Sequence, residues 1–551
     1  MNKETESHFS NLPEIKIGRS NMTRPFTHTG SGDAALLLPI YVDNLIQPGD
    51  SVKMKFSTII REMTPLVPVM DTAWADIMFF FVPKRLVWDH WVNFWGQNDT
   101  EPWIQKTDYT VPKLKAPKDG WSVGSLAEKL GYPIGVGDIE VDALPTRSYC
   151  RIYNDWFRDE NLKNPVYINT GDSLTQGTDM SEYDDENPYD PVTGAETGAY
   201  PLKVAKPHDY FTSALPGMQK GPEVYIPLGD QAPVIGVEPY IEGTTNEAMI
   251  DNKITALRSY EESGFGTSYN TTRFYNEESQ MGNYNTYFGL AADLSNAVGA
   301  SITQLRQSFA IQRFYEALAR GGSRYIEVLR NIFGVTAPDY RLQRAEYIGG
   351  TRFYINMNQV IQSDAGASDV TPLGHTGAYS VTTGKKDDLF SHAFVEHGVL
   401  MGLMCIRTEH SYSQGINRQF TKFKLFDYYT PQLANISEQA ILNKEIYAQG
   451  TDEDEEAFGY QEAWAEYRYF PNMVTGELRV DAPQSLSVWT YADHYDELPR
   501  LGDEWIDETK ENIARTIAVE NHDQFFYDFY FKPIYTRPMP IYSIPGLSSH
   551  F

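Results

Sequence analysis

Two cysteines in 551 residues, Cys150 and Cys405, are too few for a disulfide scaffold or a four-thiolate zinc ribbon. They fit a chain that folds in a reducing compartment with both thiols free. Basic residues are scarce beside acidic ones. The 46 Lys and Arg against 74 Asp and Glu leave a formal charge of -28, which disfavours phosphate backbones and anionic membranes over most of the surface. Any nucleic-acid contact is therefore local. Long apolar runs are also missing. The densest, Ile77 to Val82, is too short to span a bilayer, and the polar stretch Met1 to Ser10 lacks the apolar core of a signal peptide, so neither membrane insertion nor secretion is expected. There is no internal repeat of fixed period.

Catalytic signatures are nearly absent too. The chain has no His-Glu-x-x-His, no Gly-x-Ser-x-Gly, no phosphate-binding loop and no Gly-x-Gly-x-x-Gly; Thr383-Gly384-Lys385 lacks the flanking residues of such a loop and reads as a surface turn. His392, His397 and His410 lie near Glu396 and Glu409, but strand residues five apart face opposite sides, so packed or interface histidines are the better reading than a metal site. The run Asp452 to Glu456 lacks the spaced oxygen ligands and the glycine of a calcium loop and reads as a solvated charge run. No cofactor is called for, and no pair of carboxylates is singled out for glycoside hydrolysis.

What is present is globular. Hydrophobic residues make up 41%, with 36 Tyr, 28 Phe and 10 Trp, which excludes disorder. The length exceeds that at which one core stops growing, so several domains or one domain with large insertions is expected. Residues 34–42, 51–63 and 73–82 read as strands bounded by turns such as Gln47-Pro48-Gly49-Asp50, and such spacing suggests a sandwich or barrel. Val52, Met54 and Phe56 alternate with Lys53 and Lys55, so that strand buries one face, whereas Ile77 to Val82 does not alternate and should be covered on both sides. Strand texture returns at 351–360, 393–408 and 524–535, with an acidic helical stretch at 437–469.

Residues 171–290 carry 19 acids against 6 bases and nine prolines, the pattern of a long, irregular, solvated insertion. Its Tyr183, Tyr189 and Tyr200 argue for partial order and are candidate attachment residues. Residues 301–320 and 323–333 have the clearest helical periods, broken by Gly321-Gly322 and ended by Gly334. Arg306, Arg313 and Arg320 recur every seven residues on one face, and seven arginines outweigh four acids between 301 and 346. That face could meet phosphate, although pairing with acids of adjoining elements is the simpler reading.

Several blocks carry a family resemblance. They are Ile17-Gly-Arg-Ser20 with Phe26, Leu36-Leu-Leu-Pro-Ile-Tyr-Val-Asp43, Gln47-Pro-Gly-Asp50, and Met78-Phe-Phe-Phe-Val-Pro-Lys-Arg-Leu-Val-Trp88. A second group runs from Leu305 to Gly322, through Tyr325-Ile-Glu and Phe333-Gly-Val, to Arg341-Leu-Gln-Arg344. The chain resembles the major capsid proteins of Microviridae, the small single-stranded DNA bacteriophages, and most closely the gokushovirus branch. The resemblance implies a mainly β fold, an eight-stranded antiparallel jelly roll with long loop insertions containing helices. It implies a T=1 icosahedral shell of sixty copies around a circular single-stranded DNA genome, with no enzymatic activity. Implied partners are an internal scaffolding protein, a small basic DNA-binding protein, a DNA pilot protein and a host-surface receptor; the implied location is the virion, assembled in the bacterial cytoplasm. The expected division is an N-terminal arm (1–30), first strands (31–170), an acidic surface protrusion (171–290), a helical insertion (291–350), and remaining strands (351–551) with an acidic insertion near 435–515 and a tail. The alternative is a carbohydrate-active or carbohydrate-binding β-sandwich.

Overall fold

The computed structural model describes residues 18–97, 109–182, 194–222, 224, 234–241, 256–262, 269–275, 286–292, 302–361, 363, 374, 376–519 and 521–542. They divide into one unit of Met1–Met218 with Ala319–Phe551 and a second of Gln219–Leu318. Ten strands of the first unit carry the argument: β1 (Ser20–Thr23), β2 (Phe26–Gly32), β3 (Leu38–Ile46), β4 (Ser51–Glu62), β5 (Ala73–Pro83), β6 (Glu346–Tyr354), β7 (Thr382–Ala393), β8 (Gly398–Thr408), β9 (Phe525–Phe531) and β10 (Ile534–Arg537).

These strands form two antiparallel sheets. In the first, β4 pairs with β7 along one edge and with β9 and β10 along the other; β2 then pairs with β9 and β1 with β10. Pro25 and Pro533 lack the N–H that a ladder needs. Both lines break there, at 24–25 and 532–533, and the Arg24 amide bonds the Pro533 carbonyl at 3.2 Å across the gap. Six strands therefore occupy four positions. The second sheet has the order β6-β5-β8-β3.

The alternation read in β4 is met: Val52, Met54 and Phe56 are buried, and Lys53 and Lys55 only half-buried. They meet the other sheet in an aromatic core where the Phe531 ring lies 5.3 Å from Tyr41 and 6.3 Å from Phe79. β5 is covered on both faces, and Phe79, Phe80 and Phe81 are at most 2% exposed. Phe79 and Phe81 enter the inter-sheet core. Phe80 enters a second core with Leu403, Cys405, Trp88 and helix α1 (Leu144–Ile152). The cover on the outer face is thus supplied by the chain's own insertion.

Some expectations fail. Residues 437–469 are not a helix but two short paired strands, Gln439–Leu442 and Ala457–Gln461, with single helical turns between and after them. Two of their acids bond locally, Glu455 with Lys444 and Asp454 with the Gln449 and Gly450 amides, while the run Asp452 to Glu456 is mostly exposed, as a solvated charge run should be. Thr383-Gly384-Lys385 is not a turn but lies in β7 opposite Thr58 of β4, where a side chain at Gly384 would strike the Phe353 ring at 2.6 Å. The strand read across 393–408 is interrupted at 394–397, which places His392 and His397 on different strands or turns.

Residues 194–218, read as part of the insertion, belong to the first unit, and their Ala195, Leu202, Val204, Tyr210, Phe211 and Ala214 lie in its cores. The second unit is more regular than its prolines suggested. Val234–Ile241 pairs with Thr286–Ala292, and Ala256–Glu262 with Tyr269–Tyr275, both antiparallel. Pro239 is accommodated at a bulge, where the register jumps between Tyr287 and Gly289. Helix α2 (Ile302–Gly321) begins in this unit, and α3 (Tyr325–Phe333) follows in the first, ending on Gly334 in the left-handed conformation.

Candidate functional site

Buried charge in the first unit serves architecture. Asp76 of β5 receives Arg352 of β6 at 2.6 Å and Arg407 of β8 at 2.7 Å, and the Trp74 indole donates to it. Burial alone would raise its carboxyl, but the two guanidiniums outweigh burial and hold it low. Asp43 of β3 accepts from Arg24 at 3.0 Å and from the Tyr535 hydroxyl of β10, which ties the two sheets together. His410 is buried between Asp493, at 2.7 Å from Nδ1, and Glu508, at 3.3 Å from Nε2. Burial works against its charge, but the carboxylates prevail and push its pKa up to about 10.

His392 faces Glu346 at 3.6 Å, and His397 stacks on Trp95 with centroids 4.4 Å apart, so the three histidines do not converge. Among the described residues no group of three His, Cys, Asp or Glu is placed to hold a metal. Both cysteines are buried free thiols that burial pushes up, Cys405 to about 12, which removes them as nucleophiles.

A different feature stands at the surface of the same unit. In the stretch 418–429 Arg418 and Lys422 reach inward to acids while the aromatic groups stand outward. The Asn417 side chain accepts from the Gln419 amide, and the Asp427 carboxylate accepts from the Phe423 and Lys424 amides at 2.9 and 2.7 Å, which lowers its pKa. Lys422, 9% exposed at its side chain, pairs with Glu466 and sits over the Tyr467 ring at 4.6 Å. Arg418 pairs with Glu445. On this polar frame Phe420, Phe423, Leu425 and Phe426 are 69–85% exposed, with Tyr428 and Tyr467 more than half exposed. Soluble surfaces seldom hold so many large apolar groups together, and such patches mark sites of protein contact. Sequence reasoning passed over this stretch, although five aromatics in the ten residues 420–429 were a usable signal.

The residues singled out from the sequence are scattered. Arg306 and Arg313 are exposed on α2 in the second unit. Arg320, in the first unit, pairs with Glu438 and with Glu462 at 3.0 Å, the acid pairing read as the simpler alternative. Tyr183 and Tyr189 lie outside the described residues. Tyr200 is half-buried, and its hydroxyl donates to the Met180 carbonyl at 2.9 Å.

An antiparallel two-sheet body whose buried charges brace strands and loops, and whose loops hold aromatic side chains outward on a fixed frame, defines a structural protein built for contacts. Comparison with known proteins is specific. The family model described as capsid protein (F protein) matches residues 10–547, and the chain belongs to that family. It is 37% identical over 551 residues to capsid protein VP1 of Spiroplasma virus 4, covering 98% of this chain and 97% of the relative. It is 36% identical to capsid protein VP1 of Bdellovibrio phage phiMH2K, covering 100% and 99%, and 34% identical to that of Chlamydia phage 1, covering 98% of each. The resemblance to Microviridae capsid proteins is borne out along the whole chain. It is a structural capsid protein of the virion and not an enzyme, and the carbohydrate-active alternative is set aside.

Proposed function

We propose that sixty copies of the chain build a T=1 icosahedral shell around circular single-stranded DNA, each through an eight-stranded jelly roll whose long insertions make the contacts. The strand order supports the jelly roll. With the two broken lines each counted once, the sheets read β1/β2, β9/β10, β4, β7 and β3, β8, β5, β6, two four-wide sheets that share one core. The observation that carries assembly is the outward aromatic set at 420–429 on a frame with its charges already paired. Copies that each carry -28 approach best where acid is neutralised.

For the interior, the α2 face of Arg306, Arg313 and Arg320 is the proposed DNA contact, supported by the exposure of the first two; Arg320 shares its charge with Glu438 and Glu462 and serves as the anchor. Since the chain as a whole repels DNA, a small basic protein neutralises the rest of the genome, with a scaffolding protein and a pilot protein as further partners. For the exterior, the acidic insertion, with Tyr183, Tyr189 and Tyr200, is the proposed host-attachment surface, because a segment carrying -13 sits poorly against enclosed DNA. Assembly is placed in the host cytoplasm.

Co-expression with the scaffolding partner in bacteria tests the reading. Shells that sediment as uniform particles and image as T=1 icosahedra are expected, and small oligomers under all conditions would refute it. In particles, replacing Arg306 and Arg313 by Gln should release DNA at lower salt while shells persist.

A further inference from the structure

Within the first unit a cleft of about 440 Å³ is lined by five cations, Arg158, Lys206, Arg320, Arg324 and Arg407, against three acids, Asp159, Glu160 and Glu327. Three of the cations are accounted for. Arg320 pairs with Glu438 and Glu462, Arg324 with Glu160 and Glu327, and Arg407 with Asp76. Two are not. Lys206 is only 6% exposed, and among the described residues its ammonium forms no ion pair; it lies over the Trp505 ring, 4.5 Å from the centroid. Asp493 lies near enough to feel that charge, but its oxygens are taken by His410 and Asn512, each at 2.7 Å. The Arg158 guanidinium donates to the Lys163 carbonyl, and its Nε is buried without a partner. Of the acids whose charge reaches it, Asp159 accepts from the Asn161 and Leu162 amides, and Glu160 pairs with Arg324.

A buried cation whose neighbouring carboxylate is already bonded to other groups is costly, and a bound anion relieves that cost. We propose that this cleft is a phosphate-binding site in which Lys206 and Arg158 hold the oxyanion. A phosphate group carries up to two charges and several acceptor oxygens, which suits an ammonium together with a guanidinium. A carboxylate brings one charge and leaves one of the two unmet. The cleft also exceeds a bare phosphate and falls in the size range of small-molecule sites, so the group could come from free phosphate or from a nucleotide of single-stranded DNA. The site belongs to the single chain and goes beyond shell assembly, so its failure would leave the capsid reading untouched.

The test is calorimetric titration of the full chain with sodium phosphate, with sodium acetate at equal ionic strength as control, for the native chain, Lys206→Met and Lys206→Arg. Phosphate should bind the native chain at least ten-fold more tightly than acetate. Lys206→Met should lose ten-fold or more, and Lys206→Arg should stay within a few-fold of native. In the absence of anion, Lys206→Met should melt at or above the native temperature, because it removes an unpaired charge; a merely structural lysine would give the opposite sign. Should Lys206→Met fail to fold, Arg158→Met serves as the second variant with the same expected loss. Phosphate binding no tighter than acetate, or unchanged in the methionine variants, overturns the proposal. A six-residue oligothymidylate that binds at least ten-fold more tightly than inorganic phosphate identifies DNA as the source; weaker binding identifies the free ion.

Discussion

His410 offers the sharpest energetic test. Its ring is 1% exposed and held between Asp493 and Glu508, with Asp493 itself kept below the usual carboxylate range. The native histidine releases its proton near pH 10 and the unfolded one near 6.5. Between these values the native chain binds one proton more than the unfolded chain, so this contribution to stability falls as pH rises; it is complete below 6.5 and spent near 10. At about 1.4 kcal/mol per pH unit, the window of some three and a half units amounts to about 5 kcal/mol. Replacing His410 by Gln leaves two buried carboxylates facing a neutral amide, so about 3–5 kcal/mol should be lost at pH 6. The difference between native chain and variant should then shrink steadily toward pH 10. Urea unfolding followed by tryptophan fluorescence at unit steps from pH 6 to 10 measures it. A difference that stays constant across that range would show that His410 is neutral in the native state and refute the ion-triad account.

Three further outcomes are expected. Phe79→Ala empties the centre of the inter-sheet core, where Phe79 is fully buried against Tyr41, Phe390 and Phe531, and should cost about 3–5 kcal/mol in urea unfolding; a loss below about 1 kcal/mol would mean the sheets do not meet there. Glu62, 5% exposed, has its pKa pushed up to about 8 by burial, so the native chain carries an extra proton between pH 4.5 and 8 and this group lowers stability as pH rises. Relative to the native chain, Glu62→Gln should therefore gain about 3 kcal/mol between pH 4.5 and 7, and a pH-independent difference would contradict the burial. Phe423→Asp combined with Phe426→Asp alters only exposed side chains, so the isolated chain should keep its melting behaviour within about 0.5 kcal/mol while shell yield collapses. Shells formed at native yield would remove 420–429 from the assembly contacts.

The sequence by itself determined the local and the inherited parts of this protein. Period-two alternation in β4 named its buried face, and the unbroken apolar run of β5 announced cover on both sides, because pleat geometry ties side-chain direction to position along a strand. The Gly321-Gly322 break and the Gly334 stop gave the helices their ends, and the capsid blocks indicated the family. Tertiary structure decided what depends on partners distant in the chain. Only strand pairing shows that Arg352 and Arg407 converge on Asp76, and only the packing of loops shows that Asp493 and Glu508, some 80 to 100 residues beyond His410, confine it. Composition could not tell that residues 194–218 pack into the first unit's cores while 219–318 separate, since both stretches carry prolines, acids and aromatics alike. The outward aromatics of 420–429 read in sequence like core residues. It is the inward pairing of Lys422 and Arg418 with the buried Glu466 and Glu445 that turns them to the surface, because a buried polar group must find its partner before an apolar neighbour can claim the space.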